Sequence, residues 1–143
     1  MTKVIKLILI LFITTNLVNS AIADNNFFEE GKKKYNEKKY EESKFLFQRS
    51  IVFNPKDQKS YLYLAKIYKF ENNEREEQKN INTVLLLDPQ NEEATYLLME
   101  IELKKSNYLK VKELADNFAK ICNELCDKKN LILESLKNLE PKF

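Results

Sequence analysis

The chain has 143 residues, which is enough for one compact domain or one short array of repeats. Hydrophobic residues make up 43% and charged residues 32%, a composition typical of a folded globular chain and not of a disordered one. A single glycine and three prolines leave little material for hairpins and tight β-turns. These proportions favour an all-α fold over one built on β-sheets.

Residues 1–23 have the layout of a secretory signal peptide. Two lysines precede an unbroken apolar run from Leu7 to Ile13, and Ala21 and Ala23 supply the small residues that signal peptidase requires. The run is much shorter than the roughly 20 residues of a membrane-spanning helix. We therefore predict cleavage after Ala23 and a periplasmic or secreted protein with no transmembrane segment. Retention of the segment as an uncleaved anchor is the alternative.

Removal of this segment and its two lysines leaves 22 basic and 22 acidic residues, so the processed chain carries no net charge. Nucleic-acid binding requires clustered positive charge that displaces counterions from phosphates. The balance of charges therefore argues against a nucleic-acid partner. The basic run Lys32-Lys33-Lys34 has glutamates on both sides, and this pattern predicts a solvated helix face.

The sequence repeats itself along the chain with a period of about 34 residues. When the sequence is shifted against itself by this period, Asn54-Pro55 aligns with Asp88-Pro89. The same shift aligns several apolar and small residues: Phe27 with Tyr61, Gly31 with Ala65, Phe47 with Ile81, Ile51 with Leu85, and Phe53 with Leu87. Because proline lacks an N–H group and clashes with the preceding turn, each proline ends a helical pattern. These coincidences at one offset indicate internal repeats.

Each period contains two amphipathic helices. The first apolar face of the second period has the helical spacing i, i+3, i+4, i+7, at Tyr61, Leu64, Ala65 and Tyr68. Asn72-Asn73 interrupts this pattern, and a second face follows at Ile81, Val84 and Leu85. The first period likewise predicts one helix around Asn26–Glu37 and another from Tyr40 to Phe53. One period is therefore two antiparallel helices joined by a short polar turn.

This pattern resembles the tetratricopeptide repeat (TPR) over roughly residues 24–123. The family's bulky residue early in the first helix is met by Phe27 and Tyr61, and its small residue four positions later by Gly31 and Ala65. Its closing proline is met by Pro55 and Pro89, and the aromatic residue that opens the second helix by Tyr40 and Tyr108. The sequence departs from the family pattern at four positions: Glu30, Glu74, Ser43 and Glu77.

The resemblance implies an α-solenoid of three antiparallel helix pairs, at residues 24–57, 58–91 and 92–123. Asn123 stands where a closing proline is usual. Beyond it, Ile132, Leu136 and Leu139 recur at helical spacing, with Asp127 as a candidate N-cap. Because a repeat array needs a terminal element to cover its last apolar face, we predict that residues 124–143 form a capping helix and tail, with the helix at 127–139.

The resemblance also implies a groove lined by the first helix of each pair, where this family binds extended peptides or partner helices. The residues at these positions are Phe28, Lys32, Tyr35, Asn36, Leu62, Lys66, Lys69, Phe70, Tyr96, Glu100 and Leu103. Aromatic and aliphatic side chains flanked by lysines suit a peptide with apolar anchors and an acidic end. Phe28 and Tyr96 have a second interpretation, in which they pack within the array.

Some members of the family grip a C-terminal carboxylate with a fixed set of basic and amide side chains. That whole set is not present here, since Glu100 stands where positive charge would help. A simpler expectation is that Lys32, Lys66 and Lys69 steer an acidic partner by their charge.

Cys122 and Cys126 are the only cysteines, and both follow the predicted signal segment. An even number of cysteines in an oxidising compartment favours one disulfide. On a continuous helix, cysteines at this spacing have Cα atoms about 6 Å apart, so a helix that ends near Asn123 would improve the geometry. A redox pair, a zinc site and a Cu(I) site are the alternatives, although thioredoxin-type pairs have two intervening residues and zinc requires four ligands.

The residue types needed for common catalytic sites are missing. The chain has no histidine, and a single glycine cannot form a glycine-rich phosphate loop. We therefore predict no catalytic residue, cofactor or metal. The expected function is an adaptor or scaffold that binds a peptide or helix of another envelope protein. The alternative is a thiol- or metal-handling protein that acts through Cys122 and Cys126.

Overall fold

The computed structural model describes residues 24–139, which form seven α-helices and no β-strand. The predicted signal segment, residues 1–23, and residues 140–143 lie outside the described residues. The helices are α1 (Asp24–Asn36), α2 (Tyr40–Phe53), α3 (Gln58–Phe70), α4 (Glu74–Leu87), α5 (Glu92–Lys104), α6 (Tyr108–Ile121) and α7 (Cys126–Leu139). They fall into two compact units, with α1 and α2 in residues 24–57 and α3 to α7 in residues 58–139. The all-α class predicted from composition is correct.

The turn inside each helix pair has the same backbone design. Lys38, Asn72 and Ser106 have positive φ angles of 60°, 57° and 58°, and each is separated from the next by one repeat period. In each turn the N–H of the following residue donates to the backbone carbonyl of the residue five positions earlier. These bonds run from Lys39 to Lys34, from Asn73 to Tyr68 and from Asn107 to Glu102, all at 2.9 Å. This is the hydrogen-bond pattern of a Schellman motif, which ends a helix and reverses the chain.

The connections between successive pairs are also equivalent. The second helix of the first two pairs ends one residue before Asn54 or Asp88, and the N–H of that residue bonds to Ser50 O or Val84 O at 2.8 Å. Pro55 and Pro89 follow directly and stop the helix. The two prolines therefore occupy equivalent corners, as the period predicts.

In residues 24–57, α1 and α2 approach closely at Gly31. A Cβ atom at this position would lie 2.8 Å from Cε1 of Phe47, whose side chain is completely buried. The hydroxyl of Ser43 on α2 donates to the carbonyl of Gly31 at 2.8 Å. Glycine fits here because any side chain would lie too close to the ring of Phe47. The hydrogen bond explains why Ser43 stands where the family has alanine.

In residues 58–139, one hydrophobic core runs through α3 to α7. Ala65 of α3 and Ile81 of α4 join it to buried residues of α5 and α6, such as Met99 and Phe118. Ile132 and Leu136 of α7 are 5% and 3% exposed, because this helix packs against α5 and α6. The last helix therefore covers the apolar surface that the third pair would otherwise expose.

A carboxylate from α5 secures the turn between α6 and α7. Glu92 accepts hydrogen bonds from the backbone N–H groups of Asn123, Glu124 and Leu125, with donor–acceptor distances of 2.7, 3.2 and 3.2 Å. The bond from Asn123, supported by the other two, lowers the pKa of Glu92. The prediction that Asp127 caps the helix is wrong, because α7 begins at Cys126 and Asp127 is already its second residue.

Glu77 is a buried acid within the second pair. Its side chain belongs to α4 and is 2% exposed. Burial raises the pKa of Glu77, while the charges of Lys104 and Lys69 oppose the rise. The desolvation of this carboxylate therefore outweighs its attraction to the nearby lysines.

We expect Gly31→Ala to destabilise the protein. Alanine gains about 1 kcal/mol in helix propensity over glycine, but overpacking against a buried aromatic ring costs about 1 to 3 kcal/mol. The net loss should be up to about 2 kcal/mol in the free energy of unfolding, measured by urea denaturation. In a Phe47→Leu background the added methyl group has room, so the same substitution should cost less. An equal cost in both backgrounds would contradict the steric explanation.

We expect Glu77→Gln to stabilise the protein at neutral pH and to lose that advantage in acid. The folded-state pKa of Glu77 lies above its ordinary value of 4.5, so the native protein carries the cost of a buried charge at pH 7. As the pH falls through the raised pKa, the folded state takes up the proton first and this cost disappears. Thermal melts at pH 7 and pH 4 test the change. Glu113→Gln, in an exposed ion pair with Lys110, is the control and should have little effect at either pH.

Candidate functional site

Seven of the predicted groove residues lie on α3 and α5, in residues 58–139. We call this set the α3–α5 face: Leu62, Lys66, Lys69, Phe70, Tyr96, Glu100 and Leu103. Two ion pairs join its helices, from Lys66 Nζ to Glu93 Oε1 at 2.7 Å and from Lys69 Nζ to Glu100 Oε2 at 2.5 Å. The hydroxyl of Tyr96 donates to the other oxygen of Glu100 at 3.0 Å. The first helices of the second and third pairs are therefore bound to each other by polar contacts.

These contacts change the electrostatics expected from the sequence. Lys66 and Lys69 were predicted to present positive charge, but each has a carboxylate directly beside it. Their side chains are 24% and 36% exposed, so the pairs lie partly within the surface. Positive and negative charges on the α3–α5 face therefore nearly cancel at these positions. An incoming carboxylate would meet Glu93 and Glu100 together with the two lysines.

Tyr96 is held in a partly buried position. Burial, together with the hydrogen bond to Glu100, raises the pKa of Tyr96 to about 12. Its hydroxyl therefore keeps its proton at neutral pH and stays a donor to the Glu100 carboxylate. The ammonium group of Lys128, on α7, lies 5.8 Å from the centroid of the ring. This brings the capping helix to the edge of the α3–α5 face.

The apolar residues of the α3–α5 face differ in exposure. Leu62, Tyr96 and Leu103 are partly buried and pack against the hydrophobic core. Tyr96 therefore packs within the array, as its second interpretation predicts, and only part of its side chain is open to solvent. Phe70, at the end of α3, is 65% exposed. It is the residue of this face with the most apolar surface open to solvent.

The other four predicted groove residues lie on α1, in residues 24–57. The Phe28 ring centroid is 5.8 Å from that of Phe47, and the Tyr35 ring centroid is 5.6 Å from that of Tyr40. Both aromatic residues are half-buried, so Phe28 also packs against α2. Lys32 and Asn36 are exposed on the same helix.

Sequence reasoning missed the acidic partners in the α3–α5 face. Glu93 is not among the predicted groove residues, although it binds Lys66 across successive pairs. Its position was detectable, because it lies one turn before Tyr96 on the same helix face as the predicted groove residues. Lys128 carried no such signal, since its approach to Tyr96 depends on where the capping helix packs.

Cys122 and Cys126 are joined by a disulfide bond, with Cα atoms 5.2 Å apart. Helix α6 ends at Ile121, and Cys122 is its C-cap residue with extended backbone angles. The interruption of the helix at this point produces the shorter Cα separation that the sequence analysis required. In the disulfide neither sulfur is a thiolate, so the bonded pair cannot serve as a metal ligand.

Neither a metal site nor a membrane-spanning helix is found within residues 24–139. No group of three or more histidine, cysteine, aspartate or glutamate residues in this range could hold a metal ion. No helix in the same range is long and apolar enough to cross a membrane.

Comparison with sequence families gave no match to any family model. A search of curated proteins gave none either.

Comparison with solved structures gave many matches, and all of those described next are TPR domains or secretion chaperones. The TPR2B domain of yeast Sti1, solved with pHsp70, has a TM-score of 0.73 at 14% identity, covering 83% of this chain and 99% of that one. The Yersinia enterocolitica type III secretion chaperone SycD, solved with a peptide of the translocator YopD, has a TM-score of 0.72 at 15% identity, covering 80% and 92%.

A third structure is the second TPR domain of human RPAP3 with the HSP70 peptide SGPTIEEVD, which has a TM-score of 0.68 at 16% identity, covering 82% of this chain and 97% of that one. Identities this low establish the fold and leave ligands undetermined. The helix pairs, their regular repeat spacing and these superpositions agree, and the chain therefore has a TPR-like fold.

Proposed function

We propose that this protein is an exported interaction adaptor that holds a peptide or helix of another envelope protein against its α3–α5 face. Three structurally similar domains were solved with peptides or a peptide complex, those of Sti1, SycD and RPAP3. In each of these structures a domain of similar fold is in complex with a partner. The same use of the fold here is the simplest interpretation of a chain without catalytic motifs.

The observation that carries the proposal is the composition of the α3–α5 face. Phe70 presents an exposed aromatic ring at the end of α3, and the two ion pairs lie along α3 and α5 beside it. Exposed aromatic side chains beside partly buried polar groups are typical of the energetic centre of an interface. A bound segment could therefore bury the ring of Phe70 while its polar groups bond to the lysines and glutamates.

The charge balance favours a partner anchored by apolar side chains. An acidic peptide tail such as that of SGPTIEEVD would face Glu93 and Glu100 as well as Lys66 and Lys69. Because the two glutamates would repel the carboxylates of such a tail, an acidic tail would add little to the affinity for this face. We therefore propose apolar anchoring and not charge steering as the main source of affinity.

Export is supported by two independent features of the sequence. Residues 1–23 have the signal-peptide layout, and the only two cysteines form a disulfide of the kind that persists in oxidising compartments. The short loop closed by this disulfide stabilises the fold by only about 2 kcal/mol. Its position between α6 and α7 suits a structural role, in which it fixes the start of the capping helix.

A second candidate function is thiol handling through the cysteine pair. Cys126 is exposed and is the first residue of α7, where the helix dipole favours a thiolate. Glu92, whose carboxylate caps the same turn, adds a negative charge that opposes this effect. We rank this candidate below the adaptor for that reason.

Processing of the chain is the first test of export. We expect the protein recovered from the periplasm or culture medium to begin at Asp24, with an intact mass that matches residues 24–143 and one disulfide. Cell fractionation followed by intact-mass spectrometry measures this. A membrane-bound protein that retains residues 1–23 would support the anchor, and a cytoplasmic protein with free thiols would contradict export altogether.

The role of the α3–α5 face is tested by placing a charge on it. We expect Phe70→Asp to weaken partner binding about tenfold or more, because it replaces an apolar anchor by a charge that must be desolvated. Partners are captured from envelope extract with the native protein, identified by mass spectrometry, and titrated by calorimetry against the native protein and each variant.

The matched control for this test is Leu86→Asp. Leu86 lies on α4 and is 82% exposed, so the same chemical change occurs outside the α3–α5 face. Equal losses in both variants would argue against this binding face. Replacing both cysteines by serine separates the two candidate functions: binding should survive in an adaptor, whereas a thiol-handling protein would lose its function with its fold intact.

A further inference from the structure

A cluster of aromatic side chains on α1 and α2 is not used by the α3–α5 face. We call it the Arg49 strip, and its members are Phe27, Phe45, Arg49, Val52 and Phe53. The guanidinium carbon of Arg49 lies 4.2 Å from the ring centroid of Phe27 and 5.7 Å from that of Phe45. The rings of Phe27 and Phe53 are stacked with centroids 5.4 Å apart. These contacts connect Phe27, Phe45, Arg49 and Phe53, and Val52 lies on the same side of α2, three residues after Arg49.

The Arg49 strip is open to solvent. Phe45, Val52 and Phe53 are 58%, 76% and 57% exposed. Single exposed apolar residues are ordinary, but a continuous patch built from aromatic rings around an arginine has the composition of an interface centre. Among the side chains that the structure describes, residues 26–139, Arg49 contacts aromatic rings and forms no ion pair with a carboxylate. The strip is therefore an apolar surface that carries one positive charge.

A surface of matching design lies on α7. Leu131 and Leu139 are 54% and 56% exposed, and Glu134 and Ser135 lie between them on the same side of the helix. We call these four residues the Glu134 face. Ile132 and Leu136, by contrast, are buried against the rest of the unit. Glu134 is exposed and forms no ion pair within the described residues.

The two surfaces have the same spacing and opposite charge. On α2 the apolar residues Phe45 and Phe53 are eight positions apart, with Arg49 midway between them. On α7 Leu131 and Leu139 are also eight positions apart, with Glu134 within one position of the middle. Eight helical residues span about 12 Å, so the apolar residues of one helix can meet those of the other. Arg49 then lies beside Glu134 whether the helices pack parallel or antiparallel.

We propose that the Arg49 strip binds the Glu134 face of a second copy of this chain. Each copy carries both surfaces, one near each end of the described sequence, so the contact is heterologous, with different residues on its two sides. Burial of the rings against leucines supplies the stabilisation, and the pairing of Arg49 with Glu134 joins opposite charges and fixes the register. This self-association uses neither ion pair of the α3–α5 face and does not depend on the proposed peptide binding.

The test is a charge swap followed by analytical ultracentrifugation. The protein is purified in the form that its host accumulates, and its mass distribution is measured between about 1 μM and about 1 mM. The native protein should associate with rising concentration, and more weakly in high salt because the Arg49–Glu134 pair is screened. Arg49→Glu and Glu134→Arg should each raise the dissociation constant about tenfold or more. The double variant should restore it to within a few-fold of the native value.

Two control variants have charge reversals of the same size elsewhere. Arg75→Glu on α4 and Asp116→Arg on α6 are exposed positions outside both surfaces, and neither should change the association. Leu131→Gln removes an apolar contact without changing charge and should weaken association as well. Circular dichroism and the melting temperature of each variant establish that its helices are intact.

Each outcome decides the proposal. Loss of association in both single reversals and its recovery in the double variant supports it. A native protein that stays monomeric up to about 1 mM overturns it. That result would indicate that another protein or a membrane covers the strip. Association that resists both reversals, or a double variant that remains as weak as the single ones, also overturns it, because either result removes the pairing of Arg49 with Glu134.

Discussion

The fold depends on how the chain reverses within each helix pair. Lys38, Asn72 and Ser106 all adopt a left-handed backbone, a conformation that normally costs a residue other than glycine about 1 kcal/mol. The cost is met because the following N–H bonds to a carbonyl five residues back, which satisfies groups that the helix end would leave unpaired. Only this sharp reversal lets the second helix return along the first and bury the shared apolar face. The packing within each helix pair follows from it.

The period of the chain made much of this fold predictable. The spacing of apolar residues predicts the helices, and the aligned prolines predict where the second helices end. Both are predictable because each signal depends only on residues close together in the sequence. The left-handed residues could not be foreseen together from their types, since asparagine tolerates this conformation well but lysine has no preference for it. Their equivalence is visible only in their positions, which recur once in every repeat.

The candidate site was less predictable than the fold. The groove positions follow from the resemblance to TPR proteins, but the pairing of Lys66 with Glu93 and of Lys69 with Glu100 depends on the distance between α3 and α5. The same holds for Glu92, which caps a turn far along the chain from its own helix. Side chains that bridge elements distant in sequence are set by packing, and a single sequence without packing information cannot assign them. The role of the groove residues in binding remains a prediction.

The ion pairs between α3 and α5 have a mechanical consequence. Each pair bridges the leading helices of two neighbouring repeats, and therefore acts as a brace on the angle at which one repeat is set against the next. A ligand that drew Lys69 away from Glu100 would loosen that brace and also release the hydroxyl of Tyr96 from its acceptor. Occupancy of the surface would therefore be linked, through these few atoms, to the angle between α3 and α5.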